Sequence, residues 1–341
     1  MNTKEIVRKI LGNKFSKKLG KIKRNSSNLV LLLNNSYKDA ITFYKHSMVF
    51  ELDNFNKIES KIILHYHAIE KGFLHENFRY RFGESRVKEL IILLKDKDIV
   101  KNNTRSQVAV AYLAMCKYYE KHLDDGIDIS DFYSREDYEF FRNLTVLNNE
   151  IIKTHNHDDY FKNNRSDFLV FSKSRSSVRN FTGEKIPFNL IENAIGIAKT
   201  APSVCNRQPC RVYYIENKIK IDSVFAIQQG LVGYSDNIYQ LLVLVADKNY
   251  YYTVGERNQL YIDGGLFLMN LLYALHYYSI GACPAHWGLN HDKDKLIQNE
   301  LQLSDSERVI CLVPIGIPNE SFKTTLSLRR ENEEILKIVS S

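Results

Sequence analysis

The chain has 341 residues, 44% hydrophobic and 26% charged, which suits a globular protein with room for two domains and a sizeable core. Its net charge of +7 is concentrated: residues 1–24 hold nine Lys/Arg and one Glu, a local 9 − 1 = +8, so the remainder is close to neutral and a chain-wide nucleic-acid face is excluded. Cys116, Cys205, Cys210, Cys283 and Cys311 form no CxxC pair, which argues against a disulfide framework and for a reducing, cytoplasmic compartment.

The basic start is not followed by an apolar h-region, so a secretory leader is not expected. In 4–24, Ile6, Ile10, Leu11, Phe15, Leu19 and Ile22 fall near one helical face with lysines on the rest. This pattern suits a basic amphipathic helix on anionic membrane, or a solvated basic tail. Helical apolar spacing with few breakers then predicts helices over 28–48, 56–72, 84–97, 103–123 and 135–154. In the fourth of these, Val108, Tyr112, Met115 and Tyr119 predict one buried stripe. The polar, aperiodic run 153–167 reads as a linker between a helical domain, 1–160, and a second domain, 166–341.

All six prolines and ten of the fifteen glycines lie at or after 183, and the second half alternates in type. A helix is expected over 188–200, strands over 211–216 and 238–247, a long helix over 256–279 and a strand over 308–318. This order predicts an α/β or α+β sandwich. The apolar stretch 264–282 carries Asn270 and His276 and reads as a buried core helix rather than a membrane span.

Two stretches are dense in hydrogen-bonding groups. "SRSSVRNF" (174–181) offers two guanidinium forks, Arg175 and Arg179, beside the hydroxyls of Ser176 and Ser177, which suits a phosphate or a solvated turn. "TAPSVCNRQPCRVYYIE" (200–216) sets Ser203, Asn206 and Gln208 between two stiffening prolines, where amides could meet the edge of a flat heterocycle. Neither GxGxxG after a strand nor GxxxxGK[ST] occurs, so any phosphate must be held by side chains. The His-x-His pairs at 65–67 and 155–157 and the Cys205/Cys210 pair lack metal-site spacing, and no metal is expected.

"SRSSVRNFTGEKIP", a helix and then "APSVCNRQPCRVYYI" resemble the opening of the FMN-dependent nitroreductase family, with its R-x-S-x-R-x-F and A-P-S-x-x-N-x-Q-P-W stretches. "YIDGGLFLMNLLYALHYYSIGACPAHWG" (261–288) resembles that family's central helix and the segment after it, and "VPIGIP" (313–318) its late strand. The resemblance covers roughly 166–335 and implies a three-layer α/β sandwich preceded by an all-α extension. It implies that Arg175, Ser176, Ser177 and Arg179 meet the FMN phosphate and ribityl chain, and that Arg329 or Arg330 closes on the phosphate. Pro202, Ser203, Asn206 and Gln208 would form a second flavin segment supplied by the partner of a homodimer. Pro284, Ala285 and His286 would lie where backbone amides approach the flavin N5 edge. Cys210 departs from the family pattern, which has Trp there. "HYHAIEKGF" (65–73) and "FRYRFG" (78–83) resemble helical extensions of some bacterial members encoded near polysaccharide-synthesis genes.

The function implied is hydride transfer from NAD(P)H, by way of FMN, to an electron-poor small molecule: a nitroaromatic, a quinone or a conjugated ene. No side-chain acid or base is required. The alternative is a membrane-associated partner protein in polysaccharide biosynthesis whose flavin fold has little or no turnover.

Overall fold

The computed structural model describes residues 3–231 and 233–339, with side chains from Lys17 onward. The chain opens with α1 (Thr3–His46), a helix whose described side chains are almost all exposed. The apolar face proposed for Ile6, Ile10, Leu11 and Phe15 lies outside the described side chains. Asp39 of α1 takes both Arg257 nitrogens, at 2.7 and 2.8 Å.

A helical core follows, made of α2 (Phe55–Gly72), α3 (Glu84–Leu94), α4 (Lys97–Lys101), α5 (Ser106–Asp124) and α6 (Arg135–Leu144). Asn54 caps α2 by accepting from the Lys57 amide at 3.2 Å, and Ser134 caps α6 by accepting from the Asp137 amide at 3.1 Å. The single stripe expected on α5 is corrected: every residue from Ser106 to Cys116 is buried, while Tyr119 is only half-buried. The cause is packing, because α2, α3 and α6 surround α5 on several sides.

The helix expected to run to 154 stops at Leu144, where Thr145 turns extended. The expected linker also carries structure. Ile152–Asn156 is a strand, β1, and His157–Phe161 a short helix, α7, with Tyr160 and Phe161 buried. Polar side chains hid this strand, whose partner is remote in the chain.

The second half continues with α8 (Phe168–Ser174), α9 (Phe188–Ala198), β2 (Cys210–Ile215), α10 (Lys218–Gln228), β3 (Gln240–Asp247) and α11 (Gln259–Tyr277). After them come β4 (Gly281–Ala282), β5 (Ala285–His286), α12 (His291–Leu301), β6 (Glu307–Gly316), β7 (Ser321–Thr325) and α13 (Asn332–Ile335). β7 pairs antiparallel with β1, from Ile152 opposite Thr325 to Asn156 opposite Ser321. The main sheet runs β2-β3-β6-β4, with β5 also on β6, and all its pairings are antiparallel.

Helices cover both faces of this sheet, giving three layers. Val243, Val245 and Leu312 pack with Ile221 and Val224 of α10 and Ile297 of α12. Leu242, Val313 and Ile315 pack on the other face with Ile191 of α9 and Leu271 and Leu275 of α11. Alternation along each buried strand sends neighbours to opposite layers. Gly264 permits the close seat of α11, since a Cβ there would lie 2.8 Å from Ile310. Among the described residues, no helix is long and apolar enough to cross a membrane. The fold is therefore α+β: an all-α start and then a helix–sheet–helix sandwich.

Candidate functional site

Chain geometry holds 174–181 in place from three sides. The Val178 amide donates to the Ala282 carbonyl at 3.0 Å, beside β4. Phe181 bridges to Pro318, and its ring fills the space that a Cβ on Gly316 would need, 2.6 Å from Phe181 Cγ. Tyr160 grips the middle: its hydroxyl accepts from the Ser176 amide at 2.8 Å and donates to the Ser176 carbonyl at 2.9 Å. Ser174 Oγ donates to the Phe171 carbonyl at 2.8 Å and accepts from His276 Nε2–H at 2.7 Å. Burial, followed by the charge of Arg175, pushes the His276 pKa down to about 4, so the ring is neutral.

Between these fixed points sit the two arginines. Arg175 Nη1 and Arg179 Nη1 are buried and have no hydrogen-bond partner, and among the described residues neither guanidinium has a carboxylate within ion-pair distance. Burial lowers the pKa of Arg175, with Arg329 adding like-charge repulsion. The Cys283 thiol lies in the same neighbourhood as Arg179, Arg175 and Lys71, facing Ser177; burial pushes its pKa up and keeps it a neutral thiol. Lys71, from the last turn of α2, has its own pKa lowered by burial and then by Arg179 and Arg86. The helical half thus contributes cations to the region around 174–181, and composition alone gave no sign of that. The nearby motif "HYHAIEKGF" was the one available signal.

The 202–208 segment forms a separate, braced loop. Cys205, Asn206 and Gln208 all have positive φ, at 49°, 54° and 50°. Such non-glycine conformations each cost of order 1–3 kcal/mol and persist only when their surroundings impose them. Here Ser203 Oγ accepts from the Gln208 amide at 2.9 Å, and buried Asp263 of α11 accepts from the Val204 amide at 3.3 Å. Arg207 adds a bidentate pair to Glu256, at 2.6 and 3.1 Å. Pro202, Asn206 and Gln208 are left exposed beside a cavity of about 120 Å³ that Cys210 also lines. The Cys210 pKa is pushed up to about 11, by burial first and Asp263 second, so it too is a neutral thiol.

One copy of the chain does not bring this loop to Arg175 and Arg179. Cys210 pairs with Ala246, which pairs with Arg308 at one end of β6; Gly281 pairs with Gly316 at the other. Eight residues of strand separate those ends, roughly 26 Å at ~3.3 Å per residue. Pro284, Ala285 and His286 lie between, with Ala285 opposite Leu312, and Gln228 Nε2 donates to the His286 carbonyl at 3.0 Å.

The two closing arginines differ sharply. Arg330 is held by Glu59 of α2 at 2.7 Å, whereas Arg329 is exposed and close enough to Arg175 to repel it.

Residues 172–234 match the model of the nitroreductase family. The matched span opens at 172 and takes in both dense polar stretches. Iodotyrosine deiodinase from Hydra vulgaris is 22% identical over an alignment of 238 residues, covering 60% of this chain and 81% of that protein. Among solved structures, a nitroreductase-like protein of Streptococcus mutans is 24% identical, covers 51% of this chain and 98% of its own, and has a TM-score of 0.45. An FMN-dependent nitroreductase of Clostridium difficile is 18% identical, covers 48% and 91%, and has a TM-score of 0.39. The match lies within the sheet half of the chain, and α1 to α6 precede it.

Proposed function

We propose that this protein is a cytoplasmic FMN-dependent oxidoreductase that uses NAD(P)H to reduce an electron-poor small molecule and works as a homodimer. The observation that carries the reading is the pair of buried, unpartnered guanidinium nitrogens on Arg175 and Arg179 within the family-matched segment. Buried donors left unsatisfied cost about 1–3 kcal/mol each, more when charged, and a phosphate supplies the acceptors they lack. The donor set therefore fits FMN.

Bound FMN would supply the hydride-carrying heterocycle. The chain's own residues hold and orient it. Arg175, Arg179 and Arg329 would neutralise its phosphate, while Arg330 stays with Glu59. Ser176 and Ser177 offer hydroxyls to the ribityl chain. Backbone groups of Pro284, Ala285 and His286 would meet the ring edge. Pro202, Ser203, Asn206 and Gln208 complete the site from a second copy, which the separation of the two segments along β6 favours.

The test is spectroscopic. Purified protein should show a flavin spectrum that bleaches with NADH or NADPH and recovers on adding a quinone or nitroaromatic. A colourless protein that takes up no added FMN would overturn the proposal.

A second reading concerns α1. Lys17, Lys18, Lys21 and Lys23 are exposed beside exposed Leu19 and Ile22. This favours peripheral contact with anionic membrane through residues 4–24, independent of the flavin site.

A further inference from the structure

The helical extension shares a cavity with the nitroreductase-family domain. It measures about 660 Å³ and lies between the α2–α3 corner and the loop that follows α10. Three cations line it: Lys71 at the end of α2, Arg79 in the corner and Arg86 in the first turn of α3. Among the described residues, no carboxylate lines it.

Their lack of partners is selective. Elsewhere on α2, α3 and the corner between them, Lys57 pairs with Asp53, Lys61 with Glu89, Lys88 with Glu84, and Arg81 with Asp131. Among the described residues, Lys71, Arg79 and Arg86 have no carboxylate within ion-pair distance. Lys71 is half-buried and lies near Arg179 and Arg86, so like charges gather there at a cost. An anion offsets that cost.

The remaining walls are flat and partly apolar. Phe82 covers Gly72 so closely that any Cβ there would collide with its ring. On the opposite side Tyr234 stacks on His75, with centroids 4.4 Å apart and planes 23° apart. Tyr234 is anchored to α2, its hydroxyl donating to the Lys71 carbonyl at 2.6 Å. A smaller recess of about 300 Å³, which Arg179 lines, shares His75 and Tyr234 with this cavity. The cavity therefore adjoins the proposed FMN phosphate site, and Gln229 and Gly230 in its wall directly follow Gln228, whose side chain holds the His286 carbonyl at the proposed ring edge.

Resting on the flavin reading above, we propose that this cavity is the acceptor subsite and that the helical extension selects a planar, anionic acceptor. Aromatic walls hold the ring, and Lys71, Arg79 and Arg86 hold its carboxylate or phosphate. The motifs "HYHAIEKGF" and "FRYRFG" supply Lys71, Gly72, Arg79 and Phe82, which gives the extension a function the flavin site left unassigned.

The test uses the full-length, FMN-loaded protein and two probes of equal shape, 4-nitrobenzoate and neutral 4-nitrobenzamide, measured by equilibrium dialysis. Wild-type protein should bind the benzoate more tightly. Arg86→Gln and Arg79→Gln should each weaken the benzoate by about tenfold, the loss of one charge-assisted hydrogen bond, and leave the benzamide and FMN affinities unchanged. No preference for the benzoate, or a preference that survives both substitutions, would overturn the proposal. Loss of FMN in these variants would assign the cations to the cofactor phosphate, overturning the subsite while sustaining the flavin reading. Weaker NADH binding with benzoate binding intact would assign them to the reductant, and would also overturn it. If wild-type protein takes up no FMN, the flavin reading fails by itself. The same dialysis on the flavin-free chain then decides the subsite by whether benzoate binding depends on Arg86.

Discussion

At the scale of single residues, Tyr160 holds the proposed cofactor loop by both backbone groups of Ser176, its hydroxyl accepting from the amide and donating to the carbonyl. Tyr160→Phe leaves a buried amide and carbonyl unpaired, at a cost of about 1–3 kcal/mol. A lower urea midpoint is expected, with FMN affinity falling alongside it, and calorimetry with FMN titration checks both. His276 makes a pH prediction. Its folded pKa of about 4 lies below the ordinary histidine value of 6.5, so its contribution to stability is complete above pH 6.5 and is lost as pH falls toward 4. The loss is up to about 3 kcal/mol for one such group. Urea midpoints at pH 7 and pH 4.5 should diverge more for wild type than for His276→Gln. The serine- and arginine-rich run was legible as a site because its donors outnumber what a turn needs. Tyr160 was not legible, because a polar neighbourhood masks a tyrosine whose partner lies 16 residues on. Lys71 was equally hidden, since its neighbour Arg179 lies more than a hundred residues away.

At the scale of elements, local periodicity located α2, α3, α9 and α11 to within a few residues, and likewise β2, β3 and β6. Those segments carry their burial pattern in their own sequence. β1 and β7 do not: each is short and mostly polar, and each exists because the other pairs with it. α12 was missed because "HDKDKLIQNEL" shows few apolar positions, and α10 because the apolar residues of "KIKIDSVFAIQ" do not gather on one helical face; both form by covering one face of the sheet. α1 stands apart from this packing. Deleting residues 1–24 should leave FMN binding and NAD(P)H oxidation intact and abolish salt-sensitive binding to vesicles containing anionic lipid, where each basic residue contributes about 1 kcal/mol. Full-length protein that ignores such vesicles at low salt would make the segment a solvated tail.

At the scale of the molecule, the two proposed halves of the site lie toward opposite ends of the sheet in one copy. Exposed Tyr261, Ile262, Leu266 and Met269 on α11 offer an apolar face for the second copy. Composite sites predict complementation. Arg175→Ala and Asn206→Ala chains, each weak alone, should on mixing recover about a quarter of the FMN-binding capacity, because half of the dimers are mixed and each mixed dimer holds one intact site. A stable FMN-loaded monomer in sedimentation at micromolar concentration would contradict the shared site.

The central claim is that Arg175 and Arg179 hold the phosphate of FMN, and FMN titration of wild type against Arg175→Ala tests it most directly. Removing one charge-assisted contact of roughly 1.5–3 kcal/mol should weaken binding about 10- to 150-fold. An Arg175→Ala protein that binds FMN as tightly as wild type would contradict the claim.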